Sequence, residues 1–302
     1  MALLFVSTAA RLPVWQAMFD KAGIPMIAGE AAVTDPAEVT AIACWIPPAD
    51  LTRYPNLRVV LSVGAGVDHF PPLPEGVALV RTLAPGIEAM VRDWTLMATL
   101  MLHRDMPTYL QQASRGLWQS QPVRLASDRR VGIMGMGRIG GLVASSLTAL
   151  GFEVAGMSRS GRKRAVPIFP ADRLDEFLAR TDLLICLLPL TEETRGILGR
   201  RTFAALPRGA GLVHAGRGPH LDPEALRDAL DAGQLSGAIL DVTDPEPLPQ
   251  DHWMWRDPRI VITPHVAAQT DAAEGAAHAI AVMRALQEGA PLPGQVDRAL
   301  GY

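Results

Sequence analysis

Cysteine is scarce, with two in 302 residues, and aromatic residues make up only 5%. Cys44 and Cys186 lie inside the apolar runs AIACWI and LLICLL. A free thiol there behaves as a small buried hydrophobe, so no disulfide framework is expected. Positive charge is not in excess, since 28 Lys and Arg face 31 Asp and Glu for a net charge of -3. Such a balance offers a polyanion no attracting field, which argues against nucleic acid as a partner. No stretch reaches the ~20 apolar residues of a membrane span, and the start, MALLFVSTAARLP, has no basic segment ahead of its apolar run. A cytoplasmic location without membrane contact is the expectation. The sequence also lacks Cys, His and carboxylate groupings at ligand spacing, so no metal is expected.

What is present is apolar bulk. At 49% hydrophobic and 20% charged, the chain can fill the cores of two domains of the usual ~100–200 residues. Ala2–Val6 reads as a buried strand, followed by Leu12, Val14, Trp15, Met18 and Phe19 at helical spacing and Gly23 as a stop. Thr40–Ile46 and Leu57–Val63 read as further buried strands, and Met90–Leu102 as a mostly buried helix joining two domains. Beyond a polar stretch, the apolar runs at Val131–Met134, Phe152–Met157, Leu183–Leu188, Gly211–His214, Ala238–Val242 and Ile260–Thr263 are separated by helical segments. Apolar runs without polar alternation belong to parallel sheets covered by helices on both faces.

Directly after Val131–Met134 comes Gly135-Met136-Gly137-Arg138-Ile139-Gly140, then Val143, Leu147 and Leu150 at helical spacing. A dinucleotide site needs the first glycine for a tight turn, the second to admit the pyrophosphate, and the third for close packing of helix on strand. The helix N-terminus then faces the anion. The next strand should end in the group that meets the adenosine ribose, and here it ends in Ser158-Arg159-Ser160, with Arg162, Lys163 and Arg164 close behind. A carboxylate at that place would repel a 2′-phosphate, whereas a cationic cluster attracts it. NADPH is therefore expected in preference to NADH.

Three segments follow strand-like runs in the last third: His214-Ala215-Gly216-Arg217-Gly218, Asp241-Val242-Thr243-Asp244-Pro245-Glu246-Pro247 and Ile262-Thr263-Pro264-His265. Ligands bind beyond the carboxyl ends of strands in open parallel sheets, so an Arg, a Glu and a His can converge there. Arginine can grip a carboxylate and polarise a neighbouring carbonyl, histidine can deliver a proton near neutral pH, and a carboxylate can orient that histidine.

With its glycine loop, GRG, DxxxxEP and PH segments in this order, the chain resembles the D-isomer-specific 2-hydroxyacid dehydrogenases over nearly its whole length. The resemblance implies two doubly wound α/β domains with parallel sheets. A Rossmann-type cofactor domain over 96–269 would be inserted in a flavodoxin-like substrate domain over 1–95 and 270–302. It implies Arg217, Glu246 and His265 as catalytic residues, and a homodimer reducing a small 2-oxo acid such as glyoxylate or hydroxypyruvate. To the cofactor contacts it adds Leu188, Pro189, Thr194, Ala215, Gly216 and Asp241, the last meeting the nicotinamide carboxamide. A buried carboxylate without a partner is costly, which also suggests that Asp241 faces a ligand. Val63, Gly64, Ala65 and Gly66 would hold the substrate carboxylate through backbone N–H groups, and Trp45 would restrict the pocket to short substrates.

Many relatives carry a Glu-Tyr pair after the position of Met90, where this chain has Val91-Arg92-Asp93-Trp94. Alternatives within the same resemblance are a larger 2-oxo acid such as phenylpyruvate, phosphite as hydride donor, or a nucleotide-sensing corepressor without turnover. His69, His103, His214, His220 and His252 match no catalytic segment and read as structural or surface residues.

Overall fold

The computed structural model of the protein describes residues 1–159 and 165–297. Two compact units are formed, Met1–Ile87 with Gln269–Tyr302, and Glu88–Ala268. The chain thus changes unit at the start of a helix, some residues before the expected boundary at 95.

In chain order the first strands and helix are β1 (Ala2–Val6), α1 (Leu12–Ala22), β2 (Met26–Ala28), β3 (Val39–Cys44), β4 (Val59–Ser62) and β5 (Ala78–Val80). Next come α2 (Pro85–His103), α3 (Met106–Ser114), β6 (Arg130–Met134), α4 (Arg138–Ala149), β7 (Glu153–Met157), β8 (Ile168–Phe169), α5 (Leu174–Ala179) and β9 (Leu183–Cys186). The chain continues through α6 (Arg200–Ala205), β10 (Ala210–His214), α7 (Pro223–Asp231), β11 (Leu235–Leu240), β12 (Ile260–Ile262) and α8 (Ala272–Glu288).

The first unit holds a parallel five-stranded sheet in the order β2-β1-β3-β4-β5, the flavodoxin-like arrangement. Its central strands β3 and β4 are buried along their whole length, because helices cover one face and loops the other. Leu3, Phe5, Trp15, Phe19 and Met283 fill the side beneath α1 and α8. Leu4, Ile42, Val60 and Tyr54 fill the opposite side. Asp271 starts α8 by accepting hydrogen bonds from the backbone N–H groups of Ala273 and Glu274, and Gly289, at φ 66°, ends it.

The second unit holds a parallel seven-stranded sheet in the order β12-β11-β10-β9-β6-β7-β8. Numbered within the unit, this is the Rossmann order with one further strand, and the direction of winding reverses between β6 and β9. Leu184, Leu212, Leu240 and Phe203 pack one face. Trp94, Leu102, Ile133, Ile185 and Val213 pack the other. No helix among the described residues is long and apolar enough to cross a membrane.

Candidate active site

The glycine loop leaves β6 at the point where the winding reverses and enters α4 within three residues. Gly135 has φ 103°, and a Cβ there would lie 2.7 Å from the carbonyl oxygen of Leu187. A Cβ on Gly140 would lie 2.0 Å from the carbonyl oxygen of Gly135, so the first turn of α4 sits directly on the loop. Gly137 is the opposite case, since a Cβ would meet nothing within 4 Å, and no side chain caps α4 there. Two glycines are consumed by close packing and the middle one keeps the approach to the helix N-terminus open, which fits a pyrophosphate. The Met136 side chain is buried, and Gly156 makes room for it, since a Cβ on Gly156 would come within 2.4 Å of its sulfur. Ile139 also packs inward, whereas Arg138 is exposed and pairs with Glu88 at 2.7 Å.

At the end of β7, Ser158 donates its backbone N–H to Phe169, and Arg159 is exposed. Arg159 lies near the turn after β9. The Glu193 carboxyl there is held below its ordinary value by hydrogen bonding with Thr191, and the charge of Arg159 adds to the effect. Ser160, Arg162, Lys163 and Arg164 lie outside the described residues. Leu188 and Pro189 follow β9, half-buried. The Thr194 hydroxyl donates to the Pro189 carbonyl at 2.8 Å and accepts from the Thr191 N–H at 2.8 Å, closing the turn on itself.

Arg217, Glu246 and His265 follow β10, β11 and β12, three adjacent parallel strands, and so emerge at one edge of the sheet. Ala215 donates its N–H to Cys186 at 3.2 Å, and the Arg217 guanidinium donates to the Gly216 carbonyl at 2.8 Å. Gly218 passes so close to the neighbouring loop that a Cβ would lie 1.8 Å from the Thr243 carbonyl oxygen. Thr243 in turn donates its N–H to Glu246 Oε1 at 3.1 Å, and Glu246 Oε2 lies 2.8 Å from His265 Nδ1. The Arg, Glu and His segments are therefore joined in one line of contacts. The carboxylate fixes a proton on Nδ1, leaving Nε2 to exchange a proton with a reacting group. Both side chains are about 40% exposed, at 41% for His265 and 39% for Glu246, so the pair opens outward.

His265 has φ 53°, a left-handed conformation that a side chain disfavours. Asp241 explains how it is held. Its backbone carbonyl accepts the His265 N–H at 2.8 Å. Its carboxylate accepts from the Thr263 hydroxyl at 2.6 Å, the Val266 N–H at 2.9 Å and the Ala267 N–H at 2.8 Å. Asp241, at 2% exposure, is therefore not without partners. Three donors of its own chain satisfy it, and it acts as the brace of the histidine turn. Trp94, one of the residues that depart from the family pattern, donates its indole N–H to the same Thr263 hydroxyl at 3.1 Å.

In the first unit, Val63, Gly64, Ala65 and Gly66 follow β4. The Ser62 hydroxyl donates to the Gly66 carbonyl at 2.8 Å, and Arg11 donates to the Val63 carbonyl at 3.2 Å, which together shape the loop. Trp45 is half-exposed and lies over Gly64, where a Cβ would come 2.8 Å from its ring. Its other neighbour is His69, with ring centroids 4.0 Å apart. Trp45 is therefore a surface wall and not a core residue.

The sequence matches the family described as D-isomer specific 2-hydroxyacid dehydrogenase, NAD binding domain, over residues 96–267, and the chain belongs to this family. Among individual proteins, it is 36% identical over 268 residues to the glyoxylate/hydroxypyruvate reductase A of Salmonella newport (strain SL254), covering 85% of this chain and 86% of the relative. It is also similar to the D-isomer specific 2-hydroxyacid dehydrogenase of Xanthobacter autotrophicus Py2, solved in complex with NADPH and MES. That similarity has a TM-score of 0.94 and 34% identity, and spans 100% of this chain and 99% of the other. A third likeness is to the NADPH-dependent glyoxylate/hydroxypyruvate reductase of Sinorhizobium meliloti, solved with NADP and sulfate. Here the TM-score is 0.90 and the identity 35%, again over 100% and 99% of the two chains.

Proposed function

We propose that this chain is a cytoplasmic, homodimeric, NADPH-preferring reductase of short 2-oxo acids, turning glyoxylate into glycolate and hydroxypyruvate into D-glycerate. The observation that carries the reading is the 2.8 Å contact of His265 Nδ1 with Glu246, in line with the Arg217 segment beyond three adjacent strands. When bound, the dinucleotide supplies the hydride. In this reading 96–269 is the dinucleotide-binding domain, and 1–95 with 270–302 the substrate domain.

The Arg217 guanidinium holds the substrate carboxylate and carbonyl oxygen, where negative charge grows as hydride arrives. His265 Nε2 gives that oxygen its proton, and Glu246 stabilises the charged ring before the transfer and keeps it in orientation. Backbone N–H groups of Val63, Gly64, Ala65 and Gly66 receive the carboxylate, and Trp45 limits the length of the acid. Gly135 to Gly140, Ser158, Arg159, Ser160, Leu188, Pro189, Thr194, Ala215 and Gly216 line the dinucleotide, with Arg159 facing the 2′-phosphate. Asp241, which braces the His265 turn, would meet the nicotinamide carboxamide.

A second copy of the chain is favoured as partner by Leu117, Trp118, Val123 and Leu125, all exposed in the segment after α3. Free buried cysteines suit a reducing compartment. Steady-state rates with NADPH and NADH over glyoxylate, hydroxypyruvate, pyruvate and phenylpyruvate test the proposal. The highest kcat/KM is expected for NADPH with glyoxylate or hydroxypyruvate. Equal rates with NADH remove the role of Arg159, and a preference for phenylpyruvate removes that of Trp45.

A further inference from the structure

Behind Arg217 lies an enclosed group of side chains that the reaction described above leaves unused. Cys186 ends β9, His214 ends β10 and His220 lies in the turn Gly218–His220; all three are buried. One ligand-type atom from each falls within 4.8 Å of the others, a grouping that spacing in the sequence does not reveal and that superficially suits a soft metal ion. The ring nitrogens are otherwise engaged. His220 Nδ1 accepts the Arg217 backbone N–H at 3.0 Å, and its Nε2 lies 3.2 Å from the Pro189 carbonyl oxygen. His214 Nε2 lies 2.9 Å from the Arg217 carbonyl oxygen, and its Nδ1 accepts the Gly216 N–H at 3.4 Å. A metal would have to break these bonds, and burial pushes the Cys186 thiol up to about 12, away from the thiolate a metal prefers.

The same bonds define the tautomers. A nitrogen that accepts an N–H carries no proton, so His220 is protonated on Nε2 and donates to Pro189. A nitrogen facing a carbonyl must donate, so His214 also carries its proton on Nε2. Burial, and the neighbouring His220 ring after it, push His214 down to about 3, which keeps it neutral.

We propose that His214 and His220 are positioning residues for Arg217, gripping the carbonyl and the N–H of that one residue from two sides. The need follows from the flanking glycines. Arg217 lies between Gly216 and Gly218, the most pliable of neighbours, and both glycines are required by close approach. A Cβ on Gly216 would come 2.8 Å from His220 Nδ1, and one on Gly218 would strike Thr243. The pliable backbone is made rigid by two imidazoles, so the guanidinium projects from a fixed origin. A guanidinium that must meet both a carboxylate and a developing alkoxide tolerates little misplacement.

This inference rests on the reading of Arg217 as the residue that receives the 2-oxo acid, and the test separates the two. His220→Leu leaves the Arg217 N–H without an acceptor, whereas His220→Asn places an amide oxygen close to the position of Nδ1. For glyoxylate, kcat/KM should fall roughly 10- to 100-fold in His220→Leu and largely recover in His220→Asn. The Kd of NADPH, read by fluorescence, should be the same in both, since each loses the Nε2 bond to Pro189 and they differ only at the Arg217 N–H. In an Arg217→Ala background, His220→Leu should cause no further loss. If His220→Leu does not fold, His214→Gln, which keeps a donor for the Arg217 carbonyl, against His214→Met gives the same comparison. Full activity in His220→Leu, equal loss in His220→Asn, or an additive loss in the double variant overturns the clamp and leaves the reductase reading intact. Full activity in Arg217→Ala overturns that reading instead.

Discussion

Two glycine loops, one in each unit, leave the carboxyl end of a central parallel strand, yet they are built for different work. After β6 the chain turns at Gly135 and runs straight into α4, so helix amides point at the loop. After β4 no helix follows, and the loop over 63–66 is shaped by Ser62 and Arg11 and shielded by Trp45. A helix N-terminus suits a diphosphate, whereas a short run of free backbone amides suits a single small carboxylate. Similar sheets thus carry unlike chemistry, which resides in the loops and not in the architecture.

Substitutions at the two loops should separate these roles. The largest effect is expected from Gly140→Ala, whose Cβ would sit 2.0 Å from the Gly135 carbonyl oxygen, a backbone atom with no room to yield. The loop must move, and NADPH affinity should fall roughly 10- to 100-fold, as titration by fluorescence would show; unchanged affinity would break the assignment.

Acid should affect the second unit next. His214 ionises at about 3 when folded and near 6.5 when unfolded, so the unfolded chain binds the proton more readily. Stability is complete above about pH 6.5 and is lost as pH falls toward 3, by about 2 kcal/mol at pH 5. His103 and, in the first unit, His278 are shifted in the same direction, chiefly by burial. A Tm that falls between pH 7 and pH 5 is expected, and a level Tm would contradict the burial of these rings.

The smallest effect belongs to Gly64→Ala. Its Cβ would meet the half-exposed Trp45 ring at 2.8 Å, a side chain that can swing aside. The KM for glyoxylate should rise about two- to tenfold, the cost of an off-rotamer tryptophan, with NADPH affinity preserved. A parallel loss of NADPH affinity would erase the distinction between the loops.

The position of the three candidate segments is legible because each follows an apolar strand directly, so its place beyond the carboxyl ends of β10, β11 and β12 can be read from order alone. Asp241, a carboxylate ending a buried strand, signals a need for partners, but the donors come from Thr263, Val266 and Ala267, more than twenty residues away. His214 and His220 read only as structural or surface residues in the sequence, because their partners are backbone atoms of Arg217, which carry no residue-specific mark. In the sequence Trp94 is only a departure from the family pattern, because the Thr263 hydroxyl it donates to lies 169 residues further along the chain. Strands β2, β5 and β8 have three, three and two residues, too few for a period to show. The short α3, of nine residues, lies between an apolar helix and a polar stretch and carries no apolar period of its own that marks it off.

The central claim is that the His265 imidazole, held by Glu246, gives the proton that completes hydride transfer to a 2-oxo acid held by Arg217. Steady-state turnover of His265→Ala with NADPH and glyoxylate, measured beside the Kd of NADPH, tests it most directly. The account predicts a kcat lower by roughly 10²- to 10⁴-fold with the Kd unchanged. A kcat near that of the native protein, or a Kd weakened in proportion, would contradict it.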